Sequence, residues 1–249
     1  MQDIILHIKI KPMDKKISII HPSRSRGNQA FQTYLRWMNK AKNPNNIEYI
    51  LSLDDNDPML ELYNFLFKAA PITIITNNNR SAIDAINKAA QISTKEILIQ
   101  IAEDFDCPQD WDETLLNNLK DKEDFIVKTN DGTQDWIITL PIMDRKYFNR
   151  FGYIYYPEYL HMFSDTELSH VADFLERKIY LDIYFPHNHY TTGKNIRDEV
   201  SIKADGTWNQ GETLYLERLK NNFNLENITG KLKCGPSHIS WLKNKGILI

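Results

Sequence analysis

Cysteine, glycine and long apolar runs are all scarce in this chain of 249 residues, and each scarcity excludes something. The two cysteines, Cys107 and Cys234, lie far apart and outside the usual metal-binding spacings. That excludes a disulfide scaffold and suits a reducing compartment, so a cytoplasmic protein is expected. No apolar run reaches the length of a membrane span. The first eleven residues are apolar but interrupted by Asp3, His7 and Lys9, which does not suit a signal peptide. With 30 basic against 33 acidic residues the net charge is −3, so no broad basic field invites nucleic acid. Repeats and low-complexity segments are absent. Of the nine glycines only Gly27 follows the first strand, which is too few for a glycine-rich phosphate loop.

The remaining composition, 42% apolar and 25% charged, is ordinary for a soluble globular protein. The pattern along the chain is more specific. Met1 to Ile10 alternates enough to suggest an extra strand. Strands are expected at Ile17–Ile20, Ile47–Leu53, Ile72–Thr76 and Glu96–Ala102. Helices are expected between them, at Asn28–Ala41, from Pro58 and at Ser81–Ala90. Such alternation predicts an α/β fold with a mostly parallel, Rossmann-like sheet flanked by helices. The second half is less regular. Helices are expected at Asp112–Leu119, Arg145–Phe151, Asp165–Phe174 and Gly211–Phe223. Strands are expected at Phe125–Val127, Trp136–Leu140 and Ile179–Ile183, and His187 to Asp205 reads as irregular. No linker stands out, so residues 1–249 are expected to form one domain with two lobes, 1–130 and 131–249.

Every early strand hands over to a polar loop, and in a parallel sheet these loops share one edge, where open α/β sheets bind ligands. The fourth loop, Glu103-Asp104-Phe105-Asp106, gathers three carboxylates within four positions. Carboxylates that close repel unless a cation lies between them, and oxygen donors suit Mg²⁺ or Mn²⁺. Arg24, Arg26 and Arg80 lie in the converging loops and offer charge to a phosphate. His187 and His189 alternate, so in an extended segment both rings face one side. Arg218 is a further anion-binding candidate, with Asp198 and His238 behind it. Trp111, Trp136, Tyr155 and Tyr156 have flat faces suited to a base or sugar.

These residues together resemble the A-type-fold glycosyltransferases, in particular the inverting family 2. Pro22-Ser23-Arg24 resembles the step beside the nucleotide base, and Asp54-Asp55 the acidic residue aimed at that base. Asn79-Arg80-Ser81, followed by Ala82, Ala85 and Asn87, resembles the loop and small-residue helix before the metal motif. Asp104-Phe105-Asp106, with Pro108 and Trp111-Asp112, resembles the metal motif itself. The likeness runs from about residue 17 to 175, through Gly152 and Tyr156-Pro157 to Asp165-Thr166-Glu167-Leu168, which is similar to the start of the base-bearing helix. Family members more often carry two aspartates where this chain has Glu103-Asp104. That leaves the direct contact with the metal open among Glu103, Asp104 and Asp106.

The resemblance implies a glycosyltransferase of glycan biosynthesis. It would move sugar from a nucleotide-diphosphate sugar to an acceptor hydroxyl with inversion, the nucleotide-sugar in lobe 1–130 and the acceptor in lobe 131–249. Asp165 is the implied general base. Pro22, Ser23, Arg24, Asp54, Asn79, Arg80, Glu103 and Asp104 are the implied nucleotide-sugar contacts. A Mn²⁺ or Mg²⁺ ion would rest on Asp104, Asp106 and His189, with His187 and Arg218 as additional candidates. On residues alone, Ser164 and Asp165 also read as capping positions of a plain helix. Two rivals stand beside this reading: a nucleotidyltransferase on a similar sheet, and a catalytically inactive sugar-binding or scaffold protein.

Overall fold

The computed structural model describes residues 15–247, so the strand expected at Met1–Ile10 lies outside the described residues. The first half follows the anticipated alternation. It runs β1 (Ile17–Ser23), α1 (Gly27–Asn39), β2 (Ile47–Asp54), α2 (Leu60–Leu66), β3 (Thr73–Asn77), α3 (Ala82–Ile92), β4 (Ile97–Gln100) and α4 (Trp111–Leu119). The second half adds β5 (Ile126–Asn130), β6 (Ile142–Asp144), α5 (Arg145–Phe151), α6 (Ser164–Phe174), β7 (Lys178–Tyr184), α7 (Glu199–Asp205), α8 (Trp208–Lys220) and α9 (Pro236–Asn244). All seven strands join one sheet in the order β3-β2-β1-β4-β6-β5-β7. The pairs β1–β2, β1–β4, β2–β3 and β5–β7 are parallel, while β6 runs antiparallel to both β4 and β5.

Alternating side chains divide the core into two layers. On β1, Ile17 and Ile19 face one layer and Ile20 the other; on β4, Ile97 and Ile99 oppose Leu98 in the same way. The first layer is covered by Trp37 of α1, Tyr63 of α2 and Leu115 of α4. The second is covered by Ile86 of α3, Phe148 of α5, Leu168 of α6, Tyr215 of α8 and Leu242 of α9. With both faces buried, the chemistry is left to the strand ends. The order reverses between β1, which leads out to β2 and β3, and β4, which leads the other way. A crevice at the carboxyl ends of β1 and β4 is therefore the default ligand position.

Three sequence expectations are corrected. Trp136–Leu140 is not a strand. Within it Ser169 Oγ accepts from Ile138 N at 2.8 Å, and just upstream buried Asp131 accepts from Thr133 N and Gln134 N at 2.8 Å each. The ladder is made instead by Ile142–Asp144, just past Pro141. The segment 187–205 is not wholly irregular, because Asp198 caps α7 by accepting from Ser201 N at 2.9 Å. α8 starts at Trp208, before Gly211. A β-carbon at Gly211 would sit 2.2 Å from the Met162 carbonyl oxygen, so only glycine lets this helix approach so closely. Among the described residues no helix is long and apolar enough to cross a membrane.

Candidate functional site

The acidic loop is held from beneath before any of its carboxylates reach outward. Trp37 is fully buried, 5.0 Å from Trp111 edge to face, and its Nε1 donates to the Phe105 carbonyl at 3.3 Å. Trp111 Nε1 donates to the Trp37 carbonyl at 2.9 Å. From the far side of the sheet the segment after β7 clamps the loop. Asp106 N donates to the Pro186 carbonyl at 2.9 Å, and Asn188 N to the Asp104 carbonyl at 2.8 Å. This short antiparallel pairing stacks the His187 ring on Phe105, 4.1 Å between centroids.

Within that frame the three carboxylates have different partners. Glu103 is buried behind the loop, against Ser23 Oγ, His21 Nε2 at 3.5 Å and Arg26 at 3.3 Å. Burial alone would raise its pKa, but His21, Arg26 and Ser23 hold it down at about 2. Both its oxygens are occupied within the protein. Asp106 accepts from Lys40 Nζ at 2.8 Å and from its neighbour Cys107 N at 2.7 Å, with Arg36 Nε at 3.3 Å. It was expected on a cation beside Asp104. In the structure it is paired with Arg36 of α1, with Lys40 just past the end of that helix, and with the residue following it. Asp104 has its Oδ2 facing His187 Nε2 at 3.2 Å. The His189 ring lies 5.1 Å from that of His187, with its Nδ1 against Thr191 Oγ1 at 2.8 Å. A carboxylate oxygen beside an imidazole nitrogen fits a Mn²⁺-type ion whose other positions are filled by ligand oxygens and water.

At the ends of β1, β2 and β3, Arg24, Asp54 and Asn79 form one node. Arg24 is ion-paired to Asp54 and donates to Asn56 Oδ1 at 2.7 Å, and Asn79 Nδ2 donates to Asp54 Oδ1 at 2.9 Å. Pro22 pairs with Ser52 inside the β1–β2 ladder, and Ser23 is buried between Tyr63 and Glu103. Those two shape the floor. Arg80 does not converge with the others: it is exposed, folded onto Asp84 at 2.7 Å and onto the Pro157 carbonyl at 3.0 Å.

Asp165 lies in the first turn of α6, half-buried, accepting from Thr166 N at 2.7 Å. Burial raises its pKa above the ordinary aspartate value, against the pull of Thr166 and His161. His161, in the loop before α6, lies within Coulombic reach of Asp165, Asp205 and Asp104. Neither Ser164 nor Asp165 caps the helix. The capping position is Phe163, at a left-handed φ of 68° that is rare for a bulky residue. Arg218 is not available to an anion. It is buried, bidentate on Glu167 at 2.8 and 3.0 Å, with its guanidinium over the Tyr156 ring at 3.3 Å. The expected stacking aromatics are likewise engaged: Trp111 and Tyr155 are core, and Trp136 lies on His170 at 4.9 Å.

Sequence reasoning placed Arg26 among the converging loop cations but missed its carboxylate partners. It joins Glu103 to Asp198, donating to both Asp198 oxygens at 2.7 Å, and so straps the start of α7 over the crevice. His21, fully buried and 2.6 Å from Tyr49 Oη, was also missed. The signal was present in the polar run from His21 to Arg26, but its partners lie some 80 to 170 residues away in sequence.

This architecture is the A-type glycosyltransferase fold. Among solved structures it resembles the mannosyltransferase PcManGT from Pyrobaculum calidifontis in complex with GDP-Man and Mn²⁺. The TM-score is 0.56 at 13% identity, covering 71% of this chain and 58% of that one. It also resembles S. aureus TarS, with TM-score 0.58 at 11% identity over 83% of this chain and 40% of TarS. For TarS 1-349 in complex with UDP the values are 0.56 and 12%, covering 85% of this chain and 72% of that one. The chain thus spans well under two thirds of the length of the first two. No family profile and no curated protein matches it.

Proposed function

We propose that this chain is a glycosyltransferase that takes sugar from a nucleotide-diphosphate donor, with Asp104 and His187 at the diphosphate and Asp165 as general base. The observation that carries the reading is the Asp104–His187 pair, 3.2 Å apart at the end of β4, where the strand order reverses. The likeness to structures solved with GDP-Man and Mn²⁺ and with UDP supports it. The Arg24–Asp54–Asn79 node, one strand over, presents mixed donors and acceptors for a base. Arg26 puts positive charge beside the diphosphate while Glu103 fixes its direction.

A divalent cation held by Asp104 and His187, with His189 in reserve, would supply Lewis-acid neutralisation of the leaving diphosphate. The protein's own part is positional. Asp165, whose pKa burial raises, accepts in its carboxylate form the proton of the acceptor hydroxyl as that oxygen attacks the anomeric carbon. A single displacement with the base opposite the leaving group inverts that carbon. The acceptor lies toward the 153–165 segment, on the Asp165 side.

A thermal-shift series with UDP, GDP, ADP and CDP and their sugars, each with and without Mn²⁺, tests the reading. At least one diphosphate is expected to raise Tm in a Mn²⁺-dependent way, since a ligand that binds only the folded state stabilises it. No shift with any of them, with Mn²⁺ present, would contradict it.

A further inference from the structure

A second cluster of metal-ligating side chains lies away from the donor loops, against the far part of α6. Cys234 lies two residues before α9, His238 is in its first turn, and His170 comes from the middle of α6. The candidate ligand atoms of these three all lie within 4.8 Å of one another. His170 is fully buried. Its Nδ1 is 2.8 Å from Tyr215 Oη, and its Nε2 is buried with no hydrogen-bond partner. An unpartnered imidazole nitrogen at such a site is costly unless something takes its lone pair. The Tyr215 hydroxyl also lies 3.2 Å from His238 Nε2, so it orients both rings. Trp136 roofs the cluster, 4.9 Å from His170 and 4.7 Å from His238 between centroids.

We propose that His170, Cys234 and His238 bind a zinc-class cation that fastens α9 to α6. One thiolate with two imidazoles is a borderline-soft donor set of the kind Zn²⁺ takes, in tetrahedral geometry. The fourth position falls to water. Asp173, one turn along α6 from His170, is taken up by Lys178 Nζ at 2.9 Å and Lys233 N at 3.1 Å. Cys234 and His238 are each partly exposed, which leaves room for that water. Burial holds both imidazoles below their ordinary pKa, His238 at about 4, so each ring is neutral and offers a lone pair. Burial also raises the Cys234 thiol, so the cation displaces its proton to solvent as the sulfur–metal bond forms. The cation would then cross-link the C-terminal helix to the helix whose first turn carries Asp165.

Cobalt(II) titration of chelator-stripped full-length protein tests this. Wild type is expected to bind Co²⁺ with tetrahedral d–d bands and a near-ultraviolet thiolate-to-cobalt charge-transfer band, both lost on adding one equivalent of Zn²⁺. Cys234→Ser loses the charge-transfer band, and His238→Gln, shown folded by far-ultraviolet circular dichroism, loses the tetrahedral spectrum. Asp104→Asn keeps both, which separates this site from the donor site. Chelator lowers Tm in wild type and leaves Cys234→Ser unchanged. Absence of the charge-transfer band in wild type, its survival in Cys234→Ser, or its loss in Asp104→Asn would each overturn the proposal.

Discussion

Asp104 and Asp106 lie two positions apart on one loop, yet Asp104 faces His187 and Asp106 faces Lys40 and Arg36. Substitution should separate them. Asp104→Asn is expected to weaken Mn²⁺-dependent nucleotide binding with Tm nearly unchanged; Asp106→Asn should lower Tm, because two cations lose their partner. Calorimetry with and without Mn²⁺ checks both. Asp165 makes a prediction of opposite sign in two assays. In an unfolded chain it ionises near pH 4. Burial raises that value in the fold, so the folded state keeps the proton longer, and stability falls as pH rises from about 4 through the raised value. At neutral pH the buried side chain is therefore a net cost to folding. Asp165→Asn should raise Tm while depressing turnover by roughly 10²- to 10⁴-fold. The acid limb of the wild-type rate profile should lie above the range of an ordinary aspartate. Glu167, its neighbour on α6, serves structure. Glu167→Gln breaks a buried pair with Arg218 and should cost about 3 kcal/mol in chemical denaturation.

At the scale of elements, the Arg26–Asp198 pair joins the end of β1 to the start of α7, and the Phe105–His187 bridge joins the acidic loop to the chain after β7. The segment 187–205 is therefore held over the crevice by a few polar contacts and little buried apolar surface. Asp198→Ala should speed amide exchange across 187–205 while β1 and β4 stay protected, and should weaken donor binding by loosening His187 and His189. Exchange unchanged in that segment would mean the strap is idle. These are also the elements least legible in the sequence. The short apolar run Ile17–Ile20 and the helical spacing of Phe31, Tyr34, Leu35 and Met38 mark β1 and α1 locally. The short α7 depends on one capping contact. Trp136–Leu140 has the composition of a strand, but the Ser169 side chain takes its Ile138 N–H and Pro141 follows it directly.

For the whole molecule, the parallel half and its loop edge could be read because strand–helix alternation with short connections permits few topologies. The converging acids could be read as a site for the same reason. The partner of each acid could not, since that depends on His21, Arg26, Lys40, Arg36 and His187 meeting the loop from distant positions. The same limit hid the His170–Cys234–His238 cluster, whose members come from α6, the first turn of α9 and the chain before it. The central claim, a nucleotide-diphosphate site built on Asp104 and His187, is tested most directly by titrating the best-binding nucleoside diphosphate from the thermal screen into wild type, Asp104→Asn and His187→Ala. Each titration is run with Mn²⁺ and with chelator. Mn²⁺-dependent binding in wild type, weakened at least tenfold in both variants with the circular dichroism unchanged, is the predicted result. Equal Mn²⁺-dependent affinity in all three proteins would contradict it.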